Sequence, residues 1–239
     1  SDGQMMGNGS GSIVNGTISG KVFNGAMSQA TVTAHAMSSG SIGAQLGSAV
    51  TDGQGYYSLS TGNYTGPVML SMRNGMYTDL ATGNTTAMGS SDTMTAVLPT
   101  VGSGAAVTGM MITALTSMAQ ARAQAMAGGM IDANINAANA AVGNYFMTPD
   151  ILHTPCMDPA VVNSGGGATP EQRSCGITVA AMSQYAMTLG MPVSSGLITA
   201  MMNDASDGRM DGKMGGTAIN MGGMGGMMGG GMFAVEDDL

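Results

Sequence analysis

Strand-length runs of alternating residues, separated by glycines, dominate the first hundred residues of this chain. The run IVNGTISGKVF (13–23) alternates across a glycine interruption, and ATVTAHAM (30–37) alternates more regularly. Successive side chains of a strand point to opposite faces, so this pattern predicts β-strands with one buried face. The pair Asn74-Gly75 is typical of a tight turn between strands. Short strands at this spacing indicate a β-sandwich.

Three further segments continue the strand pattern. Residues 49–60 (AVTDGQGYYSLS) contain two short strands around Asp-Gly and Gln-Gly turns, 67–73 (PVMLSMR) form another strand, and 92–99 (DTMTAVLP) form the last. We therefore predict a β-sandwich domain over 13–99, of the Ig-like or transthyretin-like kind. Residues 1–12 have the composition of a linker and are predicted to form a flexible arm.

Beyond residue 99 the sequence becomes helical in character. Residues 109–127 are rich in Ala, Met and Gln, which favour helices, and the pair Gly128-Gly129 is a helix stop. Asp132 is placed to cap a second helix, ANINAANAAVGNYF, which ends before Pro149.

Two more helices follow a loop rich in proline and glycine. Pro170-Glu171 opens a helix that runs to about Leu189, and Ser194 or Ser195 is placed to cap a last helix, GLITAMMNDA. These segments predict a helical domain over 100–213. Residues 214–239 are predicted to form an extended tail rich in glycine and methionine. The predicted fold class is therefore α+β.

The small number of charged residues limits the classes of molecule that the protein can bind. Charged residues are 8% of the chain, against about 25% in a typical domain, and the formal net charge is −8. Six basic residues cannot line a phosphate-binding groove, so a nucleic-acid partner is not expected. A surface with few charges suits contact with identical subunits or a cell surface. No apolar run is long enough for a transmembrane segment, and the start at Ser1 without a signal peptide fits a processed, exported protein.

Two cysteines, Cys156 and Cys175, flank the loop rich in proline and glycine. In an exported protein they are expected to form a disulfide worth about 3 kcal/mol. The alternative is a thiolate metal site, but the chain has no CxxC pair and only two histidines.

The segments GTISGKVFNGAMSQATVTAHAM and SAVTDGQGYYSLSTGNYTGPVMLSM together resemble the carboxypeptidase-regulatory-like, or transthyretin-like, β-sandwich repeat. The segments ITALTSMAQARA, NINAANAAVGNYF and MSQYAMTL are similar to a helical extension found in bacterial exported proteins that carry this module. An extra Met-Ser-Gln after Gly25-Ala26 departs from the repeat and leaves the strand register open. The resemblance implies a structural or adhesive protein, although a shared fold is weak evidence of function.

Catalytic signatures are missing from the sequence. His35 falls in a predicted strand and His153 in a proline-flanked loop, and no G-x-S-x-G, H-E-x-x-H or P-loop pattern occurs. We therefore do not expect an enzyme.

The 28 methionines fall into two groups. Those in the predicted helices are expected to pack in the core, where a flexible thioether fills irregular gaps: Met110, Met111, Met118, Met126, Met182, Met187, Met201 and Met202. The tail methionines lie on a glycine background: Met221, Met224, Met227, Met228 and Met232. They predict either hydrophobic anchors on a neighbouring subunit or soft ligands for copper as Cu(I). The two alternatives are compatible.

A second candidate metal site is acidic. Asp204, Asp207 and Asp211 alternate with glycines in a D-x-x-D-G-x-x-D-G pattern, which suits calcium, although the spacing is not that of an EF-hand. The alternative to a calcium site is an exposed loop that ends a helix and binds no metal. Four Asn-x-Ser/Thr sequons, at Asn8, Asn15, Asn63 and Asn84, are candidate glycosylation positions.

The sequence favours an extracellular or cell-surface structural subunit that self-assembles, as a filament or a surface layer, through its terminal arms. Polymerisation of identical subunits is the expected partnership. A methionine-rich copper-binding exported protein is the alternative, and an adhesin-like module is a third interpretation.

Overall fold

The computed structural model describes residues 15–214, 217–218 and 237–239. The fold is α+β, with strands first and helices after them. The strands are β1 (Gly16–Val22), β2 (Met27–Ser28), β3 (Thr31–Ser38), β4 (Ser41–Val50), β5 (Tyr56–Gly62), β6 (Gly66–Arg73), β7 (Met76–Thr78), β8 (Thr85–Ala87), β9 (Met94–Val101), β10 (Ala106–Ile112), β11 (Arg209–Met210), β12 (Lys213–Met214), β13 (Thr217–Ala218) and β14 (Asp237–Asp238). The helices are α1 (Ala114–Ala125), α2 (Asp132–Tyr145), α3 (Pro170–Thr188) and α4 (Ser195–Ser206).

Two sheets hold most of the strands. One has the order β10-β1-β5 and the other the order β4-β3-β6-β9, while β2, β7 and β8 form a small third sheet. The pairs within the four-stranded sheet are antiparallel, but β1 and β10 run parallel. Buried side chains from both larger sheets and from the helices form one hydrophobic core.

Alternation along β5 shows why the predicted strands form. Tyr57, Leu59 and Thr61 are buried, and the residues between them are exposed, so one face of the strand covers the core. The turn before β5 is held by Asp52, whose Oδ1 accepts hydrogen bonds from the backbone N–H groups of Gln54 and Tyr56 at 2.9 and 3.0 Å. The strands predicted from alternation are confirmed in this region.

The seven strands of the two larger sheets form an incomplete ring, which we call the strand ring. On one side, β5 lies beside β4, and Gly47 approaches the carbonyl oxygen of Ser60 so closely that an added Cβ would collide with it. On the other side, among the described strands, β9 pairs only with β6 and β10 pairs only with β1. We call the β4–β5 side, where the strands touch without pairing, the closed side, and the β9–β10 side the open side.

Helix α1 connects the strand ring to the helices. Its N-cap Thr113 accepts hydrogen bonds from the N–H groups of Leu115 and Thr116. Ser117 and Gln120 bind the buried Thr95 of β9, with 2.9 Å between Thr95 N and Ser117 Oγ and 3.0 Å between Thr95 Oγ1 and Gln120 Oε1. Since α1 also packs against α2 and α4, most of its surface is buried.

The helix predicted over 109–127 is shorter than expected. It begins at Ala114, and residues 106–112 form β10 instead. Gly109 has a φ of 68°, a left-handed value that a helix cannot contain, and the partner of β10 is the distant strand β1. The strands thus continue past residue 99, because β9 runs to Val101 and β10 follows it.

The two predicted caps do not bind the helix N-termini, although Ser194 does occupy the N-cap position. Asp132 is the first residue of α2 and binds Thr100, while the N-cap residue Ile131 makes no side-chain cap. Ser194 is the N-cap residue of α4 but its hydroxyl donates to Asp79 Oδ2 at 2.6 Å, and Ser195 donates to Asp92 Oδ2 at 2.6 Å. These hydroxyls fix α4 to the loops of the strand half rather than capping the helix locally.

Candidate functional site

A cleft of about 540 Å³ lies on the open side of the strand ring. Its walls are the ends of β9 and β10, one face of α2 and the segment 149–153, and we call it the β9–β10 cleft. Most of the lining is apolar: Leu98, Pro99, Val101, Val107, Met110, Ala140, Pro149, Ile151 and Leu152. The volume is within the range of about 300–1,000 Å³ that is usual for ligand pockets.

Strand connectivity explains why the β9–β10 cleft exists. The turn that joins β9 to β10 is held by a hydrogen bond of 3.2 Å from Ala105 N–H to Gly102 carbonyl oxygen. Beyond the turn the two strands do not pair with each other. The segment 149–153 covers part of the gap, where Met111 N–H donates to the Leu152 carbonyl oxygen at 2.8 Å. Side chains of α1 and α2 bind the backbone of β9 on this side, since Ser117 accepts from Thr95 N–H and Asn139 donates to the Val97 carbonyl oxygen.

Asn139 is the polar side chain built into the wall of the β9–β10 cleft. It is 9% exposed, and its Nδ2 donates to the carbonyl oxygen of Val97 on β9 at 3.1 Å. Its Oδ1 is buried and accepts no hydrogen bond in the described part of the chain. A buried acceptor without a donor costs about 1–3 kcal/mol, so a ligand that supplies an N–H or O–H group there would recover that free energy.

The rim of the β9–β10 cleft carries two polar pairs. Asp132 accepts from the backbone N–H and the hydroxyl of Thr100, at 2.9 and 2.8 Å, and so fixes the start of α2 against β9. His153 Nδ1 lies 2.9 Å from Asp150 Oδ1, with both side chains more than half exposed. Such an exposed pair adds little stability, but it places one hydrogen-bonding group and one carboxylate at the entrance.

A disulfide tethers the wall segment 149–153 from its C-terminal side. Cys156 is bonded to Cys175 of α3, which confirms the predicted pairing over the metal alternative. Met157 N–H, next along the chain, donates to the Gln172 carbonyl oxygen at 3.0 Å. The helix α3 itself begins as predicted, with Pro170 in its first turn and Thr169 accepting from Gln172 N–H as the N-cap.

The lining of the β9–β10 cleft is mainly apolar. Neither lysine nor arginine lines it, so it does not suit a phosphate or another anion. Within the described residues no group of three or more His, Cys, Asp or Glu side chains is placed to hold a metal ion. Apolar walls and one buried acceptor together suit an apolar ligand that carries an N–H or O–H donor.

The acidic residues predicted to bind calcium lie at the end of α4. Asp204 is fully buried, and its Oδ1 accepts from the N–H groups of Asp211 and Gly212 at 3.0 and 2.8 Å. Asp207 Oδ1 accepts from Arg209 N–H at 2.9 Å. The calcium hypothesis gains no support from this arrangement, in which Asp204 and Asp207 bind backbone N–H groups of their own loop, and it stays a prediction.

Burial gives Asp204 unusual acid–base behaviour. It raises the pKa of the carboxyl to about 6, while the hydrogen bonds from Gly212 and Asp211 act in the opposite direction and the nearby carboxylates of Asp211 and Asp207 add to the rise. Oδ2 is buried and has no partner among the described residues. A proton on Oδ2 removes the cost of holding a charge in this position.

The tail methionines proposed as copper ligands, Met221, Met224, Met227, Met228 and Met232, lie outside the described residues, and so does the arm at 1–12. Around the tail, β12 pairs with β13, and β14 pairs with β11. Leu239 N–H also donates to the Gly208 carbonyl oxygen at 2.8 Å. Residues 237–239 therefore return to the loop that follows α4.

Most of the methionines predicted to pack in the core do so. Five of the eight are buried, at 3% exposure or less, namely Met110, Met111, Met118, Met182 and Met201. Met126 and Met202 are partly buried against the core. Met187 is 47% exposed, so the prediction is wrong for this residue.

Sequence reasoning missed Asn139 and Asp150. The spacing of Asp150 and His153, three residues apart, was the one visible signal that these two side chains could pair. His35, which has no such neighbour in sequence, lies with its Nδ1 3.3 Å from the Gly43 carbonyl oxygen. Of the sequons in the described region, Asn15, Asn63 and Asn84 are all exposed.

Helices of the described region are all too short or too polar to cross a membrane. No protein-family model matches the chain, and a search of curated proteins finds no match either.

Proposed function

We propose that this protein is an extracellular structural subunit that self-assembles, as a filament or a surface layer. The observation that carries the proposal is the open side of the strand ring, where β9 and β10 separate around an apolar cleft. Exposed apolar surface of this kind is typical of contacts with another chain. A head-to-tail contact of this kind extends into a polymer when its rotation does not close a ring.

Composition supports the same proposal. With 8% charged residues, the surface offers little electrostatic repulsion between copies. Strand β4 is an example, because its ten residues include no charged side chain while Ile42 and Val50 are 44% and 63% exposed. Exposed apolar side chains on a strand without charges favour contact with another copy of the chain.

The proposal also assigns a fold to the strand half and a cellular compartment to the protein. Two sheets that share one core support a transthyretin-like β-sandwich for the strand half, with the helices as its extension. The disulfide Cys156–Cys175 supports an oxidising compartment, since such bonds persist mainly in exported proteins.

Electron microscopy of the purified chain, combined with sedimentation velocity over a hundredfold range of concentration, tests the proposal. We expect polymers that grow with concentration. Chains lacking residues 1–12 or 215–239 are expected to remain unassembled, since the terminal arms supply the contacts. Monomers at every concentration, or normal polymers from both truncated chains, would contradict self-assembly through the arms.

Copper binding is a second candidate, favoured by the five tail methionines on their glycine background. An anaerobic Cu(I) titration against a competing chelator tests it. Replacement of Met221, Met224, Met227 and Met228 by leucine is expected to abolish tight binding, because leucine keeps the size of the side chain but removes the sulfur. Equal affinity in the wild-type and substituted chains would reject this function.

A further inference from the structure

We propose that the β9–β10 cleft binds a small, neutral, mainly apolar molecule that carries a hydroxyl or N–H donor. Such binding goes beyond the proposed self-assembly and does not depend on it. Three observations carry the proposal: the preformed apolar walls of the cleft, the unpaired acceptor of Asn139, and a described lining without lysine or arginine.

The walls of the β9–β10 cleft are part of the folded core. Leu98, Ile151 and Leu152 line the cleft and also belong to the hydrophobic core, each with 8% exposure or less. The segment 149–153 is held to β10 by the hydrogen bond from Met111 N–H to the Leu152 carbonyl oxygen. A preformed cleft costs little conformational entropy when a ligand binds, so burial of the ligand's apolar surface is the main source of affinity.

Asn139 favours a ligand with a hydrogen-bond donor. The Val97 carbonyl oxygen can only accept, so the amide presents Nδ2 to it, and Oδ1 is left without a donor among the described residues. Met110 also lines the cleft, and its long unbranched side chain can shift to admit a donor to the buried oxygen. A hydrogen bond formed in these apolar surroundings is stronger than one formed in water.

His153 provides a second acceptor at the entrance of the β9–β10 cleft. Its Nδ1 lies 2.9 Å from Asp150 Oδ1, and an ionised carboxylate only accepts, so Nδ1 carries the hydrogen. Nε2 of the neutral imidazole is then an acceptor, and within the described part of the chain it has no hydrogen bond. A ligand with a hydroxyl or N–H group thus meets acceptors both inside the cleft and at its rim.

Charge makes ionic ligands unsuitable for the β9–β10 cleft. An anion would lose its hydration without gaining a positive partner, because no lysine or arginine is among the described lining residues. The one acidic side chain of the lining, Asp150, is 62% exposed and already paired with His153, so it attracts a cation only weakly. A neutral molecule has neither disadvantage.

Three matched probes test the chemistry of the ligand. para-Butylphenol carries the donor, para-butylanisole lacks it, and para-butylbenzoate carries a negative charge. Ligand-detected NMR titrations of the full chain measure the three dissociation constants. We expect saturable binding of the phenol, about tenfold weaker binding of the anisole, and no saturable binding of the benzoate. A tenfold preference corresponds to about 1.4 kcal/mol, the free energy of one hydrogen bond.

Equal dissociation constants for the phenol and the anisole would overturn the inference, because no acceptor would then be used. Tighter binding of the benzoate than of the phenol, or no saturable binding of the phenol, would overturn it as well.

Two tryptophan variants test whether the phenol binds in the cleft. Ala140 is exposed on α2 and lines the cleft, whereas Ala137 is exposed on the same helix but does not line it. Ala140→Trp is expected to fill the cleft and abolish saturable binding, and Ala137→Trp is expected to keep it. Equal dissociation constants for the two variants would place the phenol outside the cleft and contradict the proposal.

Asn139→Leu tests the acceptor separately from the apolar walls. Leucine offers no acceptor, so we expect the phenol to bind this variant only as well as the anisole does, with the affinity for the anisole unchanged within about twofold. A preference for the phenol that stays tenfold in Asn139→Leu would show that Asn139 does not select the donor.

Failure of ligand binding and failure of the proposed function give different results. Polymers from a chain that binds none of the probes would overturn ligand binding and leave self-assembly standing. Saturable binding of the phenol that is lost in Ala140→Trp, by a chain that stays monomeric at every concentration, would support the ligand site and reject the filament or layer.

Discussion

The closed and open sides of the strand ring reach their geometry in different ways. At β4–β5 the backbones touch directly, because Gly47 has no side chain to keep the Ser60 carbonyl away. At β9–β10 the strands stay apart, and the gap is bordered by α2 and by a segment tethered through the Cys156–Cys175 disulfide. The contact on the closed side is thus possible because one residue, Gly47, has no Cβ. The gap on the open side depends instead on elements from the second half of the chain.

The largest expected effect comes from Gly47→Val on the closed side. The added side chain collides with the Ser60 carbonyl, and the backbones must separate, so we expect a loss of about 4 kcal/mol in the free energy of unfolding. Gly102→Ala on the open side is the control, since nothing lies within 4 Å of its added Cβ. Urea denaturation measures both, and equal losses would show that the two sides do not differ in this way.

Removal of the disulfide by Cys156→Ser with Cys175→Ser is expected to cost about 3 kcal/mol, because the unfolded chain regains the entropy of the closed loop. On the open side it also frees the wall segment 149–153. Hydrogen exchange should therefore speed up at the Met111 amide, which donates to Leu152, more than at amides of β4. Uniform acceleration in both places would argue against a separate open side.

Asp204 gives a pH-dependent effect that lies outside the strand ring. Its pKa of about 6 in the folded protein exceeds the value of about 3.9 in an unfolded chain, so its contribution to stability is fully present below pH ~4. That contribution, up to about 2 kcal/mol, is lost as the pH rises through 6. Urea midpoints between pH 4 and 7.5 should show this decline relative to Asp204→Asn, and the Gly102→Ala chain should keep it. An identical pH profile for Asp204→Asn would contradict the assignment.

The smallest effect is expected for Asn139→Leu in the wall of the β9–β10 cleft. The substitution loses the hydrogen bond to Val97 but also removes the buried Oδ1 that has no donor, so stability should change by less than about 1 kcal/mol. A loss above about 3 kcal/mol in urea denaturation would mean that Asn139 holds β9 in place. The open side would then be specified by one residue, as the closed side is.

Several elements could be predicted from local sequence because their causes are local. Strand β5 follows from alternation around Tyr57 and Leu59, and α3 follows from the Thr169-Pro170 start. The pairing of Cys156 with Cys175 was the simplest arrangement for two cysteines in an exported chain. For β10 the local signal failed, since a run with good helix formers became a strand through its distant partner β1.

The β9–β10 cleft could not be predicted from the sequence, because it exists only where β9 and β10 fail to pair with each other. Nothing in residues 94–112 distinguishes two strands that pair as a hairpin from two strands that separate after their turn. Asn139 resembles any other asparagine of its helix until α2 packs against β9 and brings Nδ2 to Val97. Asp204 likewise looked like one of three exposed ligands, whereas burial gave it the role of binding the loop at 211–212.

By itself the sequence determined the α+β class, the order of strands before helices, most core methionines and the charge-poor surface. These features depend on the periodicity of apolar side chains, on turn residues and on composition, all of which can be taken from the sequence without knowing which distant residues meet. The tertiary structure alone decided the parallel β1–β10 pair, the closed and open sides of the strand ring, and the cleft with its unpaired acceptor. These depend on contacts between residues distant in the sequence, whose free energies are set only when the whole core packs.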